Sequence, residues 1–385
     1  MVRKFLPISI FIVLLSFIIS CGQNPANQQS VATTDSIKVE KPKDSATLAI
    51  EKLNDIGSFI IGSAVSKESQ LYDLTQTPEW SEFSGEAKTA WARFDSVSKK
   101  YKTFSQTEIK APYDTIKTLF YPFSGPDFLF ANIMFPNVDK MILIGLEGPG
   151  TVPQIDSTTK DNLGKILALY KQSIEDVMQL SFFRTIDMKT ELSNKEIDGT
   201  APIIMLFIAQ AGKEIVKVTP SYLNKNGKLK PATTINPATA VEILYRDKGS
   251  DKIKTLDYLS TNLADPSLSE NKPFLKYLDN IENGSVTFIK SATYLMHKSY
   301  FSIIRNTCIE KSTMILQDDS GIGFKFFKKD KWNIQLYGTY SKPIKLFEEF
   351  FEPEYLDAFK TEKVKPLHFR IGYSPKSNLL MATRK

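Results

Sequence analysis

The chain has 385 residues, 49 Lys and Arg against 43 Asp and Glu, a formal charge of +6 and 2 cysteines. That length holds one large domain or two ordinary ones with a sizeable core. Its lysines are interleaved with Asp and Glu instead of lying along one stripe, which excludes the basic face of a nucleic-acid binder, and so few cysteines exclude a disulfide scaffold.

The first two dozen residues have the anatomy of a cleaved export signal: Arg3 and Lys4, then a nearly unbroken apolar run from Phe5 to Ile19, then Ser20 and Cys21. The run is shorter than the ~20 residues a spanning helix needs. Ile18-Ile19-Ser20-Cys21 resembles the lipobox of bacterial lipoproteins. That resemblance implies a signal peptide over residues 1–20, a diacylglycerol thioether on Cys21 and acylation of the new amino terminus. Each buried methylene contributes about 0.8 kcal/mol, and two or more chains give a stable anchor. Losing Arg3 and Lys4 lowers the charge from +6 to +4. With Cys21 lipidated, Cys308 has no partner for an intramolecular disulfide and reads as a small buried hydrophobe. Residues 21–46 are Gln, Asn, Ser, Thr, Lys and Pro with almost nothing to bury, a flexible tether reaching about 25–30 Å. Gly22-Gln23-Asn24 carries neither an acidic run nor Asp at the second position, which points to the periplasmic face of an outer membrane.

Residues 47–385 read as one integrated domain with a possible subdivision near 220–240. Trp91, Phe94, Val97, Ser98, Tyr101 and Phe104 form a stripe on a helix from Ser84. Ile116 to Phe120 and Met141 to Leu146 are continuous apolar runs of strand length. Between them Ser124-Gly125-Pro126-Asp127 is a helix start, with Phe128 to Phe135 a short apolar helix. Leu163 to Leu180 is amphipathic, with Leu163, Ile166, Leu167, Tyr170, Ile174, Val177 and Met178 on one side. Ile203 to Ala211 is a buried helix, too short to span a bilayer. Strands are expected at Lys213–Val218, Ala240–Tyr245, Ile253–Leu259 and Val286–Ile289, and helices at Lys272–Ile281 and Ala292–Ile309. The last quarter has strand composition at Thr313–Leu316, Gly323–Phe327, Trp332–Tyr340, Leu367–Tyr373 and Asn378–Thr383. Pro353 kinks or splits a helix over Ile344–Phe359. The expected fold is α+β, a mixed α/β body whose helices pack on a largely antiparallel sheet ending in a C-terminal meander.

Two places carry chemical potential. Ser124 and Gly125 at the helix start form a possible anion or ligand rim, with Asp127 beside them and Glu147 at the end of the next strand. The commoner role of Asp127 is to answer its own helix, and that of Glu147-Gly148-Pro149-Gly150 is a turn. In Gln317-Asp318-Asp319-Ser320-Gly321, the adjacent carboxylates Asp318 and Asp319 could bind a hard cation or act as an acid–base pair, although Ile322 to Phe327 supplies none of the further ligands of an EF-hand loop; the plainer reading is a hairpin turn bonded to its own backbone. His297 and His368, the 2 histidines, read as a helix histidine and a strand histidine. No zinc spacing, GxSxG elbow or Walker sequence occurs. No metal or cofactor is expected.

The blocks Leu119–Ala131, Leu316–Phe327, Trp332–Phe347 and Leu367–Ala382 resemble those of an uncharacterised family of exported bacterial proteins with a YPFSGPDF block. The resemblance implies one integrated unit and brings no activity with it. Two functions follow from the residues. The first is a non-catalytic lipoprotein that binds a small molecule or protein at the membrane surface. The second is an envelope phosphoester or glycan hydrolase using Asp127, Glu147, Asp318 and Asp319, which requires those carboxylates to converge.

Overall fold

Leu119, Phe120 and Tyr121 alternate between the two faces of one extended segment, and all three are buried. A strand apolar on both faces belongs inside a sheet covered on both sides. A computed structural model describes residues 44–109, 115–180 and 198–385. The export signal, Cys21 and nearly all of the tether lie outside the described residues.

The strands are β1 (Thr118–Tyr121), β2 (Lys140–Gly145), β3 (Lys213–Leu223), β4 (Leu229–Pro231), β5 (Ala240–Asp247), β6 (Ile253–Ser260), β7 (Ser285–Ile289), β8 (Ser312–Gln317), β9 (Trp332–Gly338), β10 (Val364–Lys365) and β11 (Asn378–Arg384). They form one 11-stranded mixed sheet in the order β10-β9-β11-β8-β7-β1-β2-β6-β5-β3-β4. The fold is α+β, with most paired residues antiparallel and antiparallel strands at the C-terminal end. Its centre, β8-β7-β1-β2-β6, is parallel throughout. The C-terminal strands do not follow chain order, because β11 inserts between β8 and β9.

Period-two alternation divides the core into two layers. Leu119, Tyr121, Met141, Leu143 and Phe288 pack with the helices Pro78–Phe104, Phe128–Met134 and Ala201–Gln210. Phe120, Ile142, Ile144, Ile289 and Ile315 pack with Lys272–Asp279, Ser302–Lys311 and Pro353–Thr361. Asp44–Lys385 is one compact unit containing both layers and every strand of the sheet, so the chain from residue 44 carries its own core.

The first long helix begins at Pro78, with Thr77 Oγ1 accepting from Trp80 N at 3.3 Å, earlier than its apolar stripe suggests. Trp91, Phe94, Ser98, Tyr101 and Phe104 are buried as expected, whereas Val97 faces solvent. On Leu163–Leu180 the stripe residues Leu163, Ile166, Leu167, Tyr170 and Ile174 face the core; the side chains of Val177 and Met178 lie outside the described ones.

Three expected elements are replaced, each by a tertiary hydrogen bond that wins over local propensity. Ala292–Ile309 is not one helix: two 3₁₀ turns, Leu295–His297 and Ser299–Phe301, precede the helix Ser302–Lys311. Here Ala292 N donates to Ser320 Oγ at 2.7 Å and Tyr294 N to Ser320 O at 3.1 Å. Gly323–Phe327 is a 3₁₀ turn whose Phe324 N donates to the Glu352 carboxylate at 2.9 Å. Leu367–Tyr373 buries Phe369 and Ile371 in alternation, yet Ile371 N donates to Ser377 Oγ at 2.8 Å and no ladder forms. Pro353 does split its helix, into a 3₁₀ segment Lys345–Phe350 and the helix Pro353–Thr361.

The start of Ser302–Lys311 is capped from a distance. Asp265 accepts from Ser302 N at 2.9 Å, Ser302 Oγ at 2.6 Å and Ile303 N at 2.9 Å. A carboxylate near a helix N-terminus also answers the macrodipole. Asp265→Ala should lower unfolding free energy by about 2 kcal/mol in equilibrium denaturation, with Asp265→Asn recovering part of it. An unchanged midpoint for the alanine variant would show that this remote cap is idle.

Candidate functional site

β1 and β7 are parallel neighbours in the centre of the sheet. After β1 the chain enters Phe128–Met134, which packs on one face; after β7 it reaches Ser302–Lys311, which packs on the other. Where adjacent parallel strands send their connections to opposite faces, a crevice opens at their carboxyl ends, the usual ligand position in such sheets. A cavity of about 660 Å³ lies at this place. Its walls come from the segments following β1 (Phe123 to Asp127), β2 (Leu146, Glu147), β6 (Thr261 to Leu263) and β7 (Lys290 to Leu295), closed by Phe301, Ile344, Leu346, Phe347 and Tyr373.

The floor is an ion pair. Lys290 Nζ lies 2.6 Å from Asp127 Oδ2 and 3.7 Å from the centre of the Phe130 ring. Tyr121, at the end of β1, donates to the same carboxylate oxygen at 2.8 Å. Asp127 Oδ1 meanwhile accepts from Phe130 N at 3.2 Å, so this residue both caps its helix and faces the cavity. Burial pushes the Asp127 carboxyl above its usual range and the Lys290 ammonium below, each shift opposed by the other's charge.

The wall is made of constrained backbone. The 4 non-glycine residues with positive φ among those described are Phe123 (59°), Ser291 (53°), Thr293 (56°) and Tyr294 (54°). All four follow β1 or β7, and the first three line the cavity. Such conformations cost of order 1–3 kcal/mol each and persist where surrounding contacts over-determine them. Ser291 is held at both ends of its peptide unit: its N–H donates to Asp318 Oδ2 at 2.8 Å, and its carbonyl accepts from Tyr373 Oη. Its Oγ is buried with no hydrogen-bond partner among the described residues. Gly145 is needed for a different reason: a Cβ there would stand 2.6 Å from Tyr258 Oη and 3.1 Å from Gly125 Cα.

Ser124, Gly125, Asp127 and Glu147 all line this cavity, although Ser124 and Gly125 have their polar groups committed. Ser124 Oγ accepts from Ile144 N at 3.0 Å and Gly125 N donates to Ile144 O at 3.1 Å, which stitches the β1 exit to the end of β2. Glu147 is buried, and its Oε2 accepts from Leu146 N at 3.1 Å.

Asp318 and Asp319 follow β8 and do not line the cavity. They are not in a hairpin turn. Both are buried in the wall behind the loop after β7, where Asp318 also accepts from Ser320 N at 2.9 Å. Asp319 accepts from Tyr294 Oη and, at 3.0 Å, from Asn378 Nδ2. Burial, and then the neighbouring Asp319 charge, push the Asp318 carboxyl up to about 7; burial likewise raises Asp319. His297 sits on a 3₁₀ turn against Tyr294 and Phe350, where burial pulls it down to about 4 and keeps it neutral. No group of three or more His, Cys, Asp or Glu among the described residues could hold a metal ion.

No protein-family model matches the chain, and no curated protein sequence matches it. The site therefore has to be argued from its own geometry. Lys290, Tyr121, Ser291 and Tyr373 escaped the reading of the sequence, the first because its partner stands far away along the chain.

Two predictions follow from the charges. A carboxyl whose folded pKa is raised binds its proton more tightly in the folded state, so stability falls as pH rises from about 4 to about 7 and then levels. Asp318→Asn removes that slope: its stability relative to the native protein should climb across this interval and stay level above it, whereas parallel curves would contradict the assignment. Breaking the floor pair by Lys290→Met should cost about 3–5 kcal/mol, because Asp127 is left buried with its charge uncompensated. The double variant Lys290→Met with Asp127→Asn should recover most of this in a denaturant-based cycle, and simple additivity of the two losses would refute the coupling.

Proposed function

We propose that the protein is a lipid-anchored envelope protein that binds a small organic molecule in the cavity between the exits of β1 and β7, without chemical turnover. The observation that carries the binding role is the cavity itself. Its size lies inside the 300–1,000 Å³ range of ligand sites, its walls are mainly apolar, and a buried ion pair, Lys290 with Asp127, lines it. The anchoring role rests on Ile18-Ile19-Ser20-Cys21 after an apolar run, and the periplasmic face of an outer membrane on Gly22-Gln23-Asn24. No helix among the described residues is long and apolar enough to cross a membrane, so membrane residence in this reading depends on the acyl chains at Cys21. The buried thiol of Cys308, which burial raises to about 12, takes no part.

A second reading, an envelope hydrolase, draws support from one feature: Asp127 and Glu147 line the same cavity. Asp318 and Asp319 stand outside it, which reduces the four carboxylates of that mechanism to two.

Metabolic labelling with a clickable palmitate should mark the native protein and spare Cys21→Ser, which should leave the envelope fraction; label on the serine variant would end the anchoring proposal. The chain from residue 22, screened by thermal shift against small apolar compounds, should be stabilised by some of them, with the shift lost in Leu146→Asp. Cleavage of ester, phosphate or glycoside substrates that disappears in Glu147→Gln would replace the binding role with the hydrolytic one.

A further inference from the structure

The mouth of the cavity carries two features that its floor does not explain. Leu146 is 50% exposed and Leu346 is 77% exposed, and both line the cavity from separate segments. Aliphatic side chains held in water at the opening of an apolar chamber mark a surface that something apolar covers. Beside them the rim offers the exposed, uncharged side chains of Asn262 and Thr293. Deeper in, Leu263, Ala292 and Phe301 are buried apolar walls. Of the charged side chains lining the cavity, Lys290 and Asp127 answer each other at 2.6 Å, and Glu147 is buried with its Oε2 accepting from Leu146 N at 3.1 Å.

Resting on the ligand-binding reading, the geometry points to a single-chain lipid with an uncharged head as the molecule this cavity takes. Its acyl chain runs inward along the buried wall of Leu263, Ala292 and Phe301, and its polar end stays at the rim with Asn262 and Thr293. A compact aromatic would fill the chamber and leave both leucines in water, whereas a chain that continues through the opening covers them. Apolar area withdrawn from water contributes about 25 cal/mol per Å², so the leucines reward a ligand that is apolar along its length.

The test uses the chain from residue 22 with the neutral dye Nile red as a reporter of the cavity, displaced by 1-oleoylglycerol or by oleate. The expected result is saturable displacement by 1-oleoylglycerol at one site, weakened about tenfold in Leu146→Asp with Leu346→Asp. Ile235→Asp, at a residue 88% exposed and outside the cavity, should bind as the native protein does. Oleate displacing the dye ten times better than 1-oleoylglycerol would overturn the uncharged head. Dye that binds, is lost in the double leucine variant and is displaced by neither lipid would overturn the lipid while leaving a ligand site. Failure of Nile red to bind the native protein would overturn both.

Discussion

The contact between Lys290 and Asp127 ties together the two strands whose connections part to opposite faces of the sheet. A buried ion pair is poor value as a source of stability, since desolvation offsets most of its attraction. What it does here is geometric. It fixes the end of β7 against the start of the helix after β1, with Tyr121 on the same carboxylate, at the place where diverging backbones would otherwise leave a loose gap. The left-handed residues Phe123, Ser291, Thr293 and Tyr294 are concentrated around the same gap. Strain of that kind is affordable only beside a well-fixed framework, and it gathers at sites where a chain must bend around something.

The pair of carboxyls after β8 has a supporting part in this arrangement. Asp318 holds the amide of Ser291, and Asp319 holds the hydroxyl of Tyr294, so the wall after β7 is anchored from behind by groups that never meet the cavity. Burial, and after it the neighbouring Asp319 charge, raise the proton affinity of Asp318. The same side chains, read as chemistry in a linear sequence, serve as architecture once folded.

Much of the fold was legible because burial writes itself into composition. The segments that became β1, β2 and β8 carry apolar residues on consecutive positions, as strands covered on both faces must, and Ala201–Gln210 is apolar all round because it is enclosed. What was not legible depended on partners remote in sequence. Ala292–Ile309 reads as one helix until Ser320, far along the chain, takes the amide of Ala292. Parallel order at the centre is likewise a long-range property, for no short turn announces it. At the site, Asp127 and Glu147 were visible as acids at the ends of apolar runs, whereas Lys290, at the end of an equally apolar run, gave no sign that it would answer Asp127.

The cavity has meaning only if it is filled in the cell. A crystal structure of the protein purified from its own envelope, without delipidation, tests this most directly. Continuous elongated density running from the wall of Leu263, Ala292 and Phe301 to the opening at Leu146 and Leu346 is the expected result. A chamber holding only ordered water, or closed by collapse of Phe347 and Leu346 into it, would contradict the ligand-binding role.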